Sequence, residues 1–232
     1  MKNAIIDYRA STKTVDALKK LNFNVVKTPQ LTTLYTTICG HGDIMVFNTK
    51  KGKIIAEPTV FDYFSKNLIN IEVVEGKSIL NEKYPYDIAY NAALVGNHLI
   101  CNEAYTDKVI LDFANKNGIK IVNTKQGYAK CSICVVSDDA IITSDKNIQI
   151  AAEKNKIDVL MVDDKSIKLK GFEHGFIGGA TGLLEKNILG VNGNINYHTD
   201  CNRIIDFCKS HKTEIVSLNN DEIEDIGSII ID

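Results

Sequence analysis

Five short β-like runs recur along the chain at nearly even spacing, and this repetition limits the fold more than any other feature. They are HGDIMVF at 41–47, PYDIAYN at 85–91, KCSICVV at 130–136, HGFIGGA at 174–180 and EDIGSII at 224–230. With Ile44, Ile88, Ile133, Ile177 and Ile226 as equivalent anchors, the steps are 44, 45, 44 and 49 residues, and 50 more lead from Ile226 through the termini back to Ile44. A second β-branched run follows each anchor strand after a polar turn: GKIIAEP, NHLICNE, DAIITSD, NILGVNG and, at the N-terminus, NAIIDYR. Helix starts are then expected near Thr12, Thr59, Thr106, Asp145 and Thr199, where Ser, Thr or Asp can cap the free backbone N–H groups.

Apolar residues spaced by three and four mark the helices, namely Val15, Leu18 and Leu21; Val60 and Phe64; Val109, Leu111 and Phe113; Ile148 and Ala152; and Ile204, Ile205 and Cys208. A third strand closes each unit in FNVVK, INIEVVE, IKIVN, IDVLMV and TEIVSL. One such ββαβ unit cannot bury its apolar face alone, so five must close on one another. The anchor strand of one unit lies at the C-terminus and its second strand at the N-terminus. Their pairing would close the ring without exposed edges. The expectation is an α/β, five-fold pseudosymmetric ββαβ propeller, one domain over residues 1–232, with no linker-like or low-complexity stretch dividing it.

With 27 basic and 29 acidic residues, and Arg9 and Arg203 the only arginines, the chain lacks the concentrated basic face expected of a nucleic-acid or anionic-membrane partner. The opening MKNAIIDYRASTK turns polar early and no later run is long and apolar enough for a membrane span, so the cytoplasm is the expected location. Six cysteines in such a chain read as reduced thiols. Nothing in the sequence sets an oligomeric state.

Equivalent positions of five repeats meet around their common axis. The residues just before the anchors therefore gather at one mouth: His41 and Asp43, Asp87, Cys131, His174, and Asp225. That inventory suits attack on a planar cationic carbon. Carboxylates (Asp43, Asp87, Asp225) would hold the cation, a thiolate (Cys131) would attack, and a histidine (His174 or His41) would move protons. Cys131 and Cys134 form a C-x-x-C with no second ligand pair, and residues three apart in a strand face opposite ways, so neither a metal nor another cofactor is expected. Cys134 reads as core and Cys131 as nearer the mouth, with Cys39 a reserve thiol. His98, His198 and His211 suit turn, capping and solvent-facing roles. Cys201 and Cys208, seven apart on one helix, read as core.

The repeat pattern resembles the pentein fold of guanidino-group-modifying enzymes and of a non-catalytic ribosome anti-association factor. The segments GHGDI, YPYDIAYN, KQGYAKCSI, IITSD and HGFIGGATG are similar to a family of small uncharacterised bacterial proteins of that fold. The resemblance implies a cysteine-dependent hydrolase or transferase acting on a small guanidino or amidine compound. It also implies a substrate-binding role for Asp43, because GHGD is similar to the glycine-rich segment that places a binding carboxylate in several of those enzymes. Catalytic penteins carry their cysteine near the C-terminus, where this chain reads Asp225-Ile226-Gly227-Ser228. That departure leaves open a binding or scaffold protein that uses the ring as a rigid surface.

Overall fold

A computed structural model describes residues 1–232. Its strands form five three-stranded sheets of one repeated design, in which an antiparallel hairpin is followed by a helix and a strand parallel to the hairpin's second strand. In the first sheet β1 (Asn3–Ile6) and β2 (Asn24–Lys27) flank helix α1 (Thr12–Lys20). After a single helical turn α2 (Gly42–Met45), the second sheet comprises β3 (Val46–Asn48), β4 (Lys53–Ala56), helix α3 (Pro58–Asn67) and β5 (Glu72–Glu75). The third holds β6 (Ala93–Val95), β7 (His98–Cys101), α4 (Lys108–Lys116) and β8 (Lys120–Asn123). The turn α5 (Ala129–Ser132) leads into β9 (Cys134–Val135), β10 (Ala140–Thr143), α6 (Lys146–Lys154) and β11 (Asp158–Met161). The fifth has β12 (Thr181–Glu185), β13 (Ile188–Val191), α7 (Cys201–Ser210) and β14 (Glu214–Ser217). The last strand, β15 (Ile230–Ile231), returns to the first sheet and pairs antiparallel with β1, Ala4 against Ile231 and Ile5 against Ile230.

The helices begin within two residues of the expected positions because the local chemistry is strong. Side chains of Ser11, Glu57, Asp107 and Asp145 accept from the first free N–H groups of α1, α3, α4 and α6. Leu18, Val60, Phe64, Ile148, Ala152, Ile204 and Cys208 face inward. In α4 the inward residues are Ile110 and Ala114, while Val109, Leu111 and Phe113 are only partly buried. The run VILDFA is apolar on adjacent positions, so spacing alone could be read in two phases. Leu21 stands past the end of α1 and is exposed, and Cys201, at the start of α7, is only half-buried.

The anchor segments differ from the expected strands. Ile44 lies in α2, and Ile88, Ile133, Ile177 and Ile226 lie in turns or irregular backbone just before a strand, which begins at Val46, Ala93, Cys134, Thr181 or Ile230. Polar side chains take the backbone donors that a ladder would have used. The Asn91 amide oxygen accepts from Lys130 N and Cys131 N, and the Asp225 carboxylate accepts from Phe176 N and Gly227 N. The anchor isoleucines remain buried beneath these turns.

One hairpin strand of each sheet (β3, β6, β9, β12 and β15) borders one narrow cavity of about 80 Å³, through Phe47, Leu94, Val135, Leu183 and Ile231. No helix is long and apolar enough to cross a membrane.

Candidate active site

Cys131 lies in α5, not in a strand, and lines a cavity of about 320 Å³. Asn91 holds it there. Besides accepting from two backbone N–H groups of α5, the Asn91 side chain donates to Cys131 Sγ (3.1 Å) and to the Asp43 carbonyl (3.0 Å). The thiol in turn donates to Asp43 Oδ2 at 3.2 Å. Asp43 sits in α2, whose turn is tied to the C-terminal segment by Asp43 N donating to Gly227 O (3.1 Å).

That C-terminal segment supplies the next link. Gly227 (φ 66°) and Ser228 (φ 67°) are both left-handed, and a Cβ on Gly227 would come within 2.2 Å of His41 Cβ, so glycine is required there. The turn brings Ser228 Oγ to 2.5 Å from Asp43 Oδ2 and 2.9 Å from Gly178 O, while Lys130 Nζ donates to Ser228 Oγ at 2.8 Å. Lys130 Nζ, Ser228 Oγ, Asp43 Oδ2 and Cys131 Sγ thus form one hydrogen-bonded chain, with Lys130 also bordering the narrow cavity. Asp43 Oδ1 is buried with no partner.

Burial dominates the electrostatics. It raises the Asp43 carboxyl above its ordinary range, with His41 when protonated, the Lys130 charge and the Ser228 hydrogen bond opposing. It also pushes the Cys131 thiol well up, helped by the negative charges of Asp43 and Asp225, so the resting thiol is protonated at neutral pH. Burial lowers the pKa of His41, leaving the ring neutral, and its Nδ1 stands 4.0 Å from Asp225 Oδ1. Asp225 is raised to about 6 by the same desolvation. Its two oxygens bind backbone N–H groups at 2.9 Å, closing residues 175–179 against the C-terminal segment.

His174 lines the cavity and its Nδ1 lies 2.9 Å from Gly175 O. Because a carbonyl only accepts, Nδ1 carries the proton in the neutral ring and Nε2 is left as the basic nitrogen. Asp87 lies behind the cavity wall. Its Oδ2 accepts from Tyr128 OH at 2.5 Å, Tyr128 OH is 3.2 Å from Tyr35 OH, and both tyrosines face the cavity. Phe172 and Phe176 add two more aromatic faces, and Glu173 and Asp225 are the acidic groups on the lining.

The structure thus gathers His41, Asp43, Cys131 and Asp225 closely, sets His174 on the same cavity and puts Asp87 behind Tyr128. Cys134 is buried in a separate apolar cluster with Cys208, and Cys39 is buried with its thiol 3.2 Å from Thr36 O. His198 caps a backbone N–H through Nδ1 accepting from Asp200 N, while His211 meets Asp158; neither they nor His98 line the cavity. His41, Asp43 and Cys131 offer donor atoms within 4.8 Å of one another, close enough to hold a metal ion. The Asp43 and Cys131 atoms are also hydrogen-bonded to each other, to Ser228 and to Asn91.

Asn91, Tyr128, Lys130 and Ser228 are the participants that residue-type reasoning missed. Asn91 had a signal, as a lone amide interrupting the apolar run IAYNAALV. Ser228 had one too, two positions after an anchor isoleucine.

Solved structures share this fold at low sequence identity. DDAH from Pseudomonas aeruginosa, as a cysteine-to-serine variant complexed with citrulline, superposes with a TM-score of 0.54 at 9% identity, covering 93% of this chain and 91% of its own. A dimethylarginine dimethylaminohydrolase adduct with 4-chloro-2-hydroxymethylpyridine gives 0.57 at 9% identity, with 94% and 92% covered. A histidine-to-glycine variant of a dimethylarginine dimethylaminohydrolase, as an adduct with S-methyl-L-thiocitrulline, gives 0.56 at 10%, again with 94% and 92% covered. The fold is accordingly the mixed α/β pentein fold. No curated protein matches by sequence. A family profile does match, over residues 5–230, and the chain belongs to that family, described as a family of unknown function (DUF6873).

Proposed function

We propose that the chain is a thiol-dependent enzyme that hydrolyses or transfers the amidino carbon of a small guanidino or amidine compound. The observation that carries the reading is Cys131 on the lining of the 320 Å³ cavity, its thiol hydrogen-bonded to Asp43 with His41 alongside. The arrangement around it is part of the proposal: one domain in which five ββαβ units surround an axis, with this cavity at one end. Support for that comes from one hairpin strand of each sheet bordering one channel and from the β1–β15 pairing.

The lining suits a planar cation. Tyr35, Tyr128, Phe172 and Phe176 offer aromatic faces, and Glu173 and Asp225 offer negative charge, with Asp87 fixing Tyr128 from behind. A cation beside Cys131 favours the thiolate by Coulomb attraction and offsets the burial that keeps the resting thiol neutral. The sulfur then adds to the amidino carbon, the C–N bond breaks, and the departing amine takes the proton that the thiol gave up, relayed by His174 Nε2 or His41. Water attacks the S-bound carbon in the hydrolytic case, releasing the ureido or amide product and restoring the thiol.

A protonated, buried thiol also fits the alternative of a non-catalytic binding protein. Labelling with 2-chloroacetamidine, a cationic electrophile, against neutral iodoacetamide separates them. Saturable modification of Cys131 that favours the cation, together with product release from a guanidino or amidine panel that Cys131→Ala abolishes, supports the enzyme. Slow, unsaturable labelling and no turnover across the panel sinks it in favour of the binding protein.

A further inference from the structure

Asp43 entered as a residue to hold a substrate cation, yet its side chain points at the thiol and the hydroxyl of Ser228. Only its unpartnered Oδ1 is left over. We propose that Asp43 is the general base for Cys131 and that the Ser228 hydroxyl, held by Lys130, is a rotor that follows the proton. The proposal rests on the reading of Cys131 as the nucleophile.

The geometry gives the step. At rest Ser228 Oγ accepts from Lys130 Nζ (2.8 Å) and donates its single proton to Asp43 Oδ2 (2.5 Å). The thiol donates to the same oxygen over 3.2 Å. On attack the S–H bond breaks, its electron pair stays on sulfur, and the proton forms an O–H bond on Oδ2. A protonated Oδ2 no longer needs the Ser228 donor. A second acceptor is already in place, because Gly178 O lies 2.9 Å from the same hydroxyl, so the Ser228 proton swings from Asp43 to Gly178. The negative charge moves from Asp43 to sulfur, and the chain keeps its proton count. Lys130 contributes to both states, holding Ser228 in register and balancing the one negative charge. Ser228 is fully buried and acts only through Asp43, touching neither the sulfur nor the substrate, so it and Lys130 are positioning residues.

The groups facing Asp43 set the sign of the test. Burial and Asp225 oppose its carboxylate, while Lys130, Ser228 and, when protonated, His41 favour it. Burial first, and then the negative charges of Asp43 and Asp225, hold the thiol protonated. A purely electrostatic role therefore predicts that Asp43→Asn speeds thiol chemistry, and a general base predicts the opposite.

The experiment follows 2-chloroacetamidine modification of Cys131, by peptide mass spectrometry, against pH in the full-length protein. Asp43→Asn is expected to slow it at least about ten-fold at neutral pH and to erase its solvent deuterium isotope effect. Ser228→Gly, which suits the left-handed backbone, is expected to move the acidic limb of the rate profile to higher pH, because Asp43 loses a donor to its carboxylate. In the infrared, the S–H stretch of Cys131 should rise in frequency in Asp43→Asn. Equal or faster modification of Asp43→Asn overturns the base role, and an unmoved acidic limb in Ser228→Gly overturns the rotor. If wild-type Cys131 reacts no faster than the other buried thiols at any pH, the nucleophile reading falls and this inference falls with it.

Discussion

Tyr128 carries the phenol on which both Asp87 and Tyr35 depend, so its hydroxyl is the single atom that connects Asp87 to the cavity. Burial raises the Asp87 carboxyl, and the Tyr128 hydrogen bond opposes that shift. Tyr128→Phe leaves the carboxylate with neither oxygen bonded, a loss of about 1–3 kcal/mol in unfolding free energy. The loss should be larger at pH 8 than at pH 4.5, because the unpaired charge is worse than the unpaired acid; urea denaturation at both values checks it. Cys131 makes the complementary case. Cys131→Ser swaps a weak S–H donor for a stronger O–H donor of smaller size, so the fold should be kept within about 1 kcal/mol while reaction with 2-chloroacetamidine at this position disappears. Loss of cooperative unfolding in that variant would assign the thiol a packing role.

At the scale of elements, the helix caps do two jobs. Asp107 caps α4 through Val109 N and also accepts from Lys77 N and Ser78 N in the loop before it. Glu57 caps α3 and receives Leu80 N from the same loop. Asp145 likewise caps α6 while accepting from Gln126 Nε2. Ser11 accepts from Thr14 N, within its own helix. Ser11→Ala should therefore cost about 1 kcal/mol, the ordinary value for a lost cap. Asp107→Ala leaves three part-buried backbone donors unpaired at once and should cost roughly 3 kcal/mol. Equal midpoint shifts in urea for the two variants would refute the loop-fastening role.

For the whole molecule, buried acids dominate the dependence on pH. Asp225 and Asp164 are raised to about 6 by burial. A carboxyl whose folded pKa is raised stabilises the fold below its unfolded value near 4, and that contribution is lost as pH rises through about 6. His41 and His198 are lowered by burial, so they oppose folding at acid pH and the penalty fades as pH rises past their unfolded value. The two trends cross between about pH 4 and pH 7, which predicts a shallow stability profile there. Asp225→Asn should remove part of the falling limb and, by leaving Phe176 N or Gly227 N facing an amide N–H₂, lower stability overall. Chemical denaturation at half-unit pH steps tests both signs. Deleting Ile230–Asp232 would strip β1 of its antiparallel partner and remove one wall of the narrow cavity, at roughly 3–5 kcal/mol for two largely buried isoleucines and their hydrogen bonds. A urea midpoint unchanged by that deletion would mean the terminal pairing contributes nothing to the fold.

Repetition in the sequence determined the unit, its order of strands and helix, and the pairing of the terminal strands. Each of these follows from local periodicity and capping, and from an apolar face that must be covered. On the expectation that equivalent turns of equivalent units meet, it also named Asp43, Cys131, His41 and Asp225 as neighbours, together with His174 and Asp87. Tertiary structure alone decided how those turns are built. Ile133, Ile177 and Ile226 lie outside the strands because side chains distant in sequence or across a turn, above all Asn91 and Asp225, satisfy the backbone donors beside them. It also decided that Asp43 faces a thiol and that Asp87 stands behind a tyrosine. The hydrogen-bonded chain from Lys130 to Cys131 spans separations of 98, 185 and 88 residues. Such partners leave no periodic trace, because each bond depends on the direction of one side chain after the units have packed.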